Sequence, residues 1–158
     1  MWSDWLALER QKDASPEMRA RAIWLVTRTF VRAGHTRLAV RFAERHASSA
    51  PAQGTQLLNT LLTGILEDTR KCRSVHDRTC VLRHMYECVW QAARRSQANT
   101  MPTLPVLPEL VSSAPSRAAQ RVLWLLARVE RLINTHALCP NVHTLQLLIR
   151  AATKWDAS

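Results

Sequence analysis

Five residues recur at every fourth position in the middle of this 158-residue chain: Cys72, His76, Cys80, His84 and Cys88. Thiolates and imidazoles are the usual ligands of zinc, and helix residues four apart share a face. Cys80 with His84, or His84 with Cys88, therefore has the spacing to fill two positions around one ion. Residues eight apart are separated by about 12 Å along a helix axis, too far for a single zinc. A complete site needs ligands from elsewhere, and Cys139, His136 and His143 are the candidates. Cys72 precedes a helix-opening Ser74 and falls off the face. Cysteine also behaves as a small buried hydrophobe, so a core stripe accounts for the pattern without an ion. The sequence is read as holding no metal and no cofactor, and Cys80, His84 and Cys88 are the residues that would carry a metal site.

Other reactive constellations are missing. There is no Gly-rich phosphate loop, no H-E-x-x-H and no G-x-S-x-G. The 12 acids are scattered, without a carboxylate pair for acid–base work. The expectation is a protein that is not an enzyme. Four cysteines are too few for a disulfide framework, which points to reduced thiols in an intracellular compartment. Apolar runs fall short of the roughly 18–20 residues that span a bilayer, so no membrane partner is expected. The N-terminus lacks the apolar stretch of a secretory signal, and Asp4, Glu9, Asp13 and Glu17 argue against an acid-poor transit peptide.

The charge is the strongest compositional signal. Lys and Arg number 22 against 12 Asp and Glu, a formal net charge of +10. Beyond residue 17 the chain carries 20 basic and 8 acidic residues. Such a body suits an anionic partner, although codon bias also produces arginine-rich chains.

The elements that position these residues are helical nearly throughout. Only 3 glycines are present, and 7 prolines sit mostly between apolar blocks, which excludes a glycine-hungry sandwich or Rossmann unit. Ser15-Pro16-Glu17 opens a helix that runs to Ala33, and Gly34 stops it. Ile23, Val26, Thr27 and Phe30 form its stripe. A second helix spans about 36–47, with Leu38, Ala39, Phe42 and Ala43 on one face and Arg37, Arg41 and Arg45 on the other. Residues 48–54 read as a loop. A third helix covers about 55–70, with Leu58, Leu61, Leu62 and Ile65 inward. Ser74 and Asp77 form a capping box that opens a helix to about Ser96. Pro102, Pro105 and Pro108 mark an extended connector with room for a short helix around 106–113. Ser116 opens a helix to about Thr135, with Val122, Leu125, Leu126, Val129 and Ile133 inward. Pro140-Asn141 breaks the chain before a last helix at about 142–155.

These helices read as antiparallel pairs with an internal period. Shifting Ile23, Val26, Thr27 and Phe30 by 35 residues lands on Leu58, Leu61, Leu62 and Ile65. Leu145, Leu148, Ile149 and Ala152 repeat the spacing near the C-terminus. The expected fold class is all-α: antiparallel helix–turn–helix hairpins stacked as a short right-handed α-solenoid of about three degenerate repeats. One domain, 1–158, would comprise an N-terminal helix (1–15), a first hairpin (16–54), a second hairpin (55–97), a proline-rich connector (98–115), and a third hairpin with the last helix (116–158).

Three segments carry a family resemblance. Phe30-Val31-Arg32-Ala33-Gly34-His35-Thr36-Arg37-Leu38-Ala39 resembles the hairpin turn of the pentatricopeptide repeat family. Leu58-Asn59-Thr60-Leu61-Leu62 is similar to that family's first-helix core. Residues 139–149, from Cys139-Pro140-Asn141 to Ile149, look like a junction between repeats. The resemblance covers residues 20–69 and 139–155, and reaches 70–138 only as generic helical hairpin. It implies single-stranded RNA as ligand, held along a groove of first helices, and a role in organellar, hence mitochondrial, RNA processing or translation.

In this family the fifth and last residues of a repeat read bases. Those positions fall here on Trp24, Asn59 and Gln146, and on Gly54 and Asn141. Asn59, Gln146 and Asn141 have amides suited to base edges. Asn59 also suits a neighbouring backbone group, and Asn141 a helix N-cap. Trp24 and Gly54 depart from the polar pattern, and Trp24 suits either base stacking or packing between helices. Arg28, Arg32, Arg150 and Lys154 lie on first helices and are the phosphate candidates. The Arg37, Arg41 and Arg45 face lies on a second helix, away from such a groove, and reads as solvated. The contrasting reading is a protein-interaction scaffold of the same architecture. It would take a protein partner, or self-associate through an open solenoid end near Trp2 and Trp5 or after Trp155.

Overall fold

Pro16 lacks the amide that a first-turn residue leaves unpaired, and Ser15 Oγ accepts from the Met18 N–H at 3.2 Å. Together they start helix α1, Pro16–Arg32, in the computed structural model, which describes residues 14–47, 51–96 and 114–156 together with residues 3, 6, 7 and 10. Ser3, Leu6, Ala7 and Arg10 are helical, and the rest of 1–13, including Trp2 and Trp5, lies outside the described residues. The remaining helices are α2 (Thr36–His46), α3 (Pro51–Arg70), α4 (Val75–Ser96), α5 (Arg117–His136) and α6 (Val142–Asp156). The protein is all-α, with no strand among the described residues. No described helix is long and apolar enough to cross a membrane.

The α1–α2 turn is set by Gly34, whose φ of +76° favours glycine. It lets the His35 N–H reach the Phe30 carbonyl at 2.9 Å and the Gly34 N–H reach Val31 at 3.0 Å, the doubled bond of a Schellman stop. Past that turn, α2 lies rotated from the expected face. Leu38 is 48% exposed, while Thr36, Ala39, Val40, Phe42 and Ala43 are buried. The cause is a close approach at Gly64. Thr36 Oγ1 donates to the Gly64 carbonyl at 3.4 Å, and a Cβ on Gly64 would lie 3.0 Å from Thr36 Cγ2. Seating Thr36 against α3 turns Leu38 outward.

Helix α3 begins at Pro51, within the segment expected as a loop. Proline suits a first helical turn. Gly54 is helical and buried, and a Cβ there would lie 2.9 Å from Leu138 Cδ2. The glycine thus serves a close approach of the chain ahead of α6, not a turn.

The starts of α4 and α5 are tied together. Ser74 Oγ accepts from the Asp77 N–H at 3.4 Å. The buried Asp77 carboxylate then crosses to α5, where it accepts from the Ser116 N–H at 3.1 Å. Ser116 Oγ in turn caps α5 by accepting from the Ala119 N–H at 3.3 Å. The proline-rich connector up to residue 113, with the short helix expected at 106–113, lies outside the described residues.

Helix α3 is the centre of the core. Leu58, Leu61, Leu62 and Ile65 are fully buried, each contributing about 2 kcal/mol through apolar burial. It packs on α1, α2, α4, α5 and α6. The repeated stripes of α1 and α3 are inward, with Phe30 only half-buried. The copy on α6 shifts: Thr144, Leu148 and Ala151 are buried and Ile149 is 60% exposed. The expected third hairpin does not form a packed pair. Helix α5 packs on α2, α3 and α4, whereas α6 packs on α3 and α4. The chain leaving α5 crosses instead to α3, where Leu138 meets Gly54 and Thr55 Oγ1 donates to the Cys139 carbonyl at 2.8 Å.

Candidate nucleic-acid interface

Asn59 and Asn141, expected to read bases, come together, and they meet each other. Asn141 Oδ1 accepts from the Thr144 N–H at 3.0 Å, and Thr144 Oγ1 accepts from the Asn141 N–H at 3.0 Å. This reciprocal cap opens α6. The Thr144 hydroxyl then donates to Asn59 Oδ1 at 2.5 Å, and Asn59 Nδ2 reaches Asn141 Oδ1 at 3.5 Å. Thr144 is fully buried. The cluster fastens α6 to α3, so the carbonyl oxygens that suit base edges are already engaged.

Trp24 is likewise structural. Its indole N–H donates to Thr60 Oγ1 at 3.0 Å and ties α1 to α3. The Arg28 guanidinium lies 5.4 Å from the same ring, within cation–π range. Arg32, Gln146, Arg150 and Lys154 are exposed on α1 and α6. None of these four makes a hydrogen bond to the Asn59 side chain among the described residues.

The cysteine–histidine face is divided by burial. Cys72 lies ahead of α4, and burial is the main cause raising its thiol pKa. Burial pushes the Cys88 thiol up to about 12, leaving it protonated at neutral pH. Cys80 is half-buried and His84 exposed. Among the described residues no three His, Cys, Asp or Glu side chains lie close enough to hold a metal ion.

A different cluster stands out between α2, the end of α3 and α5. A groove of about 910 Å³ is lined by Arg37, Lys71, Arg117, Arg121 and Trp124, with Asp68 the acid among its walls. Lys71 Nζ is 2.8 Å from Asp68 Oδ1, a contact that raises the pKa of its ammonium. Arg37, Arg117 and Arg121 have no ion pair among the described residues. Trp124 is 44% exposed. The Arg128 guanidinium lies 4.5 Å from the ring centre and Arg37 5.6 Å. Arg128 is held in place by a forked contact with Glu44 of α2, Nε to Oε1 at 2.7 Å. Both partners are mostly covered, and this hydrogen bonding raises the Arg128 pKa.

Arg117, Arg121, Trp124 and Arg128 sit at helical spacing on one side of α5. That pattern is present in the sequence alongside the segment's apolar stripe. The partnership with Arg37 was not legible, because α2 and α5 are brought together only by the tertiary fold. Comparison with family models, with curated proteins and with solved structures found no match.

Proposed function

We propose that the chain is a non-enzymatic, pentatricopeptide-like helical-repeat module that binds single-stranded RNA. The observation that carries this reading is a set of arginines with no acid partner among the described residues: Arg28, Arg32, Arg37, Arg117, Arg121 and Arg150. Arg28 is half-buried and the other five are exposed. With a net charge of +10, such a surface attracts a polyanion and gains by releasing its counterions. Arginine also stacks on bases and forks onto phosphate, which lysine does not. The repeat part of the reading is supported by α1 and α3, whose matching stripes pack side by side. An organellar role in RNA processing or translation follows from the family resemblance.

Fluorescence anisotropy with a mixed-sequence single-stranded RNA, at two salt concentrations and with duplex DNA as control, tests the reading. Binding that prefers the single strand and weakens steeply with salt is expected. No binding at micromolar protein removes it. The contrasting scaffold reading is favoured by exposed apolar side chains on α1 and α6: Met18 at 55%, Leu25 at 42%, Val142 at 70% and Ile149 at 60% exposure. Concentration-dependent association in light scattering, without RNA binding, would support that alternative.

A further inference from the structure

We propose that the groove between α2 and α5 holds one nucleotide step of a single-stranded RNA, with a base stacked on Trp124 and phosphates on Arg37, Arg117 and Arg121. This rests on the RNA-binding reading above and gives it a location away from the α1 and α6 residues that the family resemblance implies.

The ring is both open and fixed. Trp124 keeps 44% of its surface exposed, while the Arg128 guanidinium against the ring is held by Glu44. A base that stacks there meets a platform already in position, so little ordering is required on binding. The charge around the ring is also unspent. Lys71 is paired with Asp68, but Arg37 has the indole as its described partner, 5.6 Å away. Its exposed side chain can turn to a phosphate beside the stacked base. Arg117 and Arg121 stand four residues apart, about 6 Å along the axis, in the stretch of α5 just before Trp124. That row can follow a strand backbone past the ring.

Size and chemistry select the ligand. About 910 Å³ falls within the roughly 300–1,000 Å³ of sites that take a small ligand, which leaves room for an unstacked nucleotide. A duplex keeps its bases stacked on one another and would leave the indole unused. An acidic peptide would satisfy the arginines but has no flat π-face to offer Trp124.

The test compares the full chain with Trp124→Ala, Trp124→Phe and Arg117→Gln/Arg121→Gln, each checked for native helicity by circular dichroism. The readout is anisotropy with a short labelled single-stranded RNA, repeated with poly-glutamate as competitor. Trp124→Ala is expected to weaken binding about tenfold, within the range of one lost base stack, and Trp124→Phe to restore most of it. The double arginine variant is expected to lower affinity and flatten the slope of log K against log salt by about 1.4. If wild type binds RNA and all three variants match it, the groove assignment is wrong and the RNA reading stands. If wild type binds no RNA, both are wrong. If poly-glutamate displaces RNA mole for mole and Trp124→Ala changes nothing, the groove is an acidic-peptide surface and the assignment is overturned.

Discussion

The α3–α6 junction and the α2–α5 groove use polar residues in opposite ways. At the junction, Asn59, Asn141 and Thr144 spend their hydrogen-bonding capacity on one another, and the result is a fastened helix. In the groove, Arg37, Arg117 and Arg121 face solvent with no ion pair among the described residues, and the acids nearby are committed elsewhere: Asp68 to Lys71, and Glu44 to Arg128. Residue type alone favours the junction as a base reader, because amides match base edges. Partner accounting favours the groove, because only groups left unpaired by folding are free to meet a ligand.

The largest expected effect removes the contrast altogether. Helix α3 supports both regions, so Leu61→Ala should cost about 2–5 kcal/mol through the cavity it leaves. Urea denaturation should show an early transition, and RNA binding and helicity should fail together. Thr144→Val separates the regions. It leaves Asn59 and Asn141 short of a partner and should cost about 1–3 kcal/mol, measured by the same denaturation. RNA affinity of the folded fraction should stay within about twofold, because the groove shares no residue with this cluster. A large loss of affinity would return Asn59 and its neighbours to the binding site.

A pH series sharpens the account of how the groove is held. The Ser116 hydroxyl and backbone amide hold the Asp77 carboxyl below its ordinary value of 3.8. A carboxylate with a depressed folded-state pKa adds stability that is fully present above the unfolded value. That stability is lost as the pH falls through the folded one. The chain should therefore weaken below about pH 4, the ordinary carboxylate range, and Asp77→Asn should reduce that acid dependence while lowering stability at neutral pH. Since Ser116 begins the helix that carries Arg117 and Arg121, the neutral-pH loss should be accompanied by weaker RNA binding. The smallest effect is a gain. Ala137 ends α5 with φ of +50°, a conformation costing an L-residue about 1–2 kcal/mol. Ala137→Gly should raise stability by up to about 1 kcal/mol in thermal or urea melts, with RNA affinity unchanged.

Much of the helical framework was readable from local signals. Ser15-Pro16, Gly34, Ser74 and Ser116 mark helix ends through short-range chemistry, and the structure places the ends there. The misreadings share a physical cause, which is tertiary approach overriding local pattern. Gly54 looked like a turn and is a helical contact point for Leu138. Leu38 looked buried and is displaced by the Thr36–Gly64 contact. Ile149 looked like a repeat stripe and is exposed, because the Asn141–Thr144 cap sets the rotation of α6. Arg37 looked merely solvated. Its place in the groove depends on a tryptophan 87 residues away, which no window along the sequence contains.

One titration series tests the central contrast most directly. The slope of log affinity against log salt for single-stranded RNA is measured for wild type, for Arg28→Gln/Arg150→Gln and for Arg117→Gln/Arg121→Gln. Each double variant removes the same formal charge. The groove pair should lose more affinity and flatten the slope more than the α1–α6 pair. Equal losses, or a larger loss from Arg28 and Arg150, would contradict the groove as the principal contact and return the RNA to the first-helix layer.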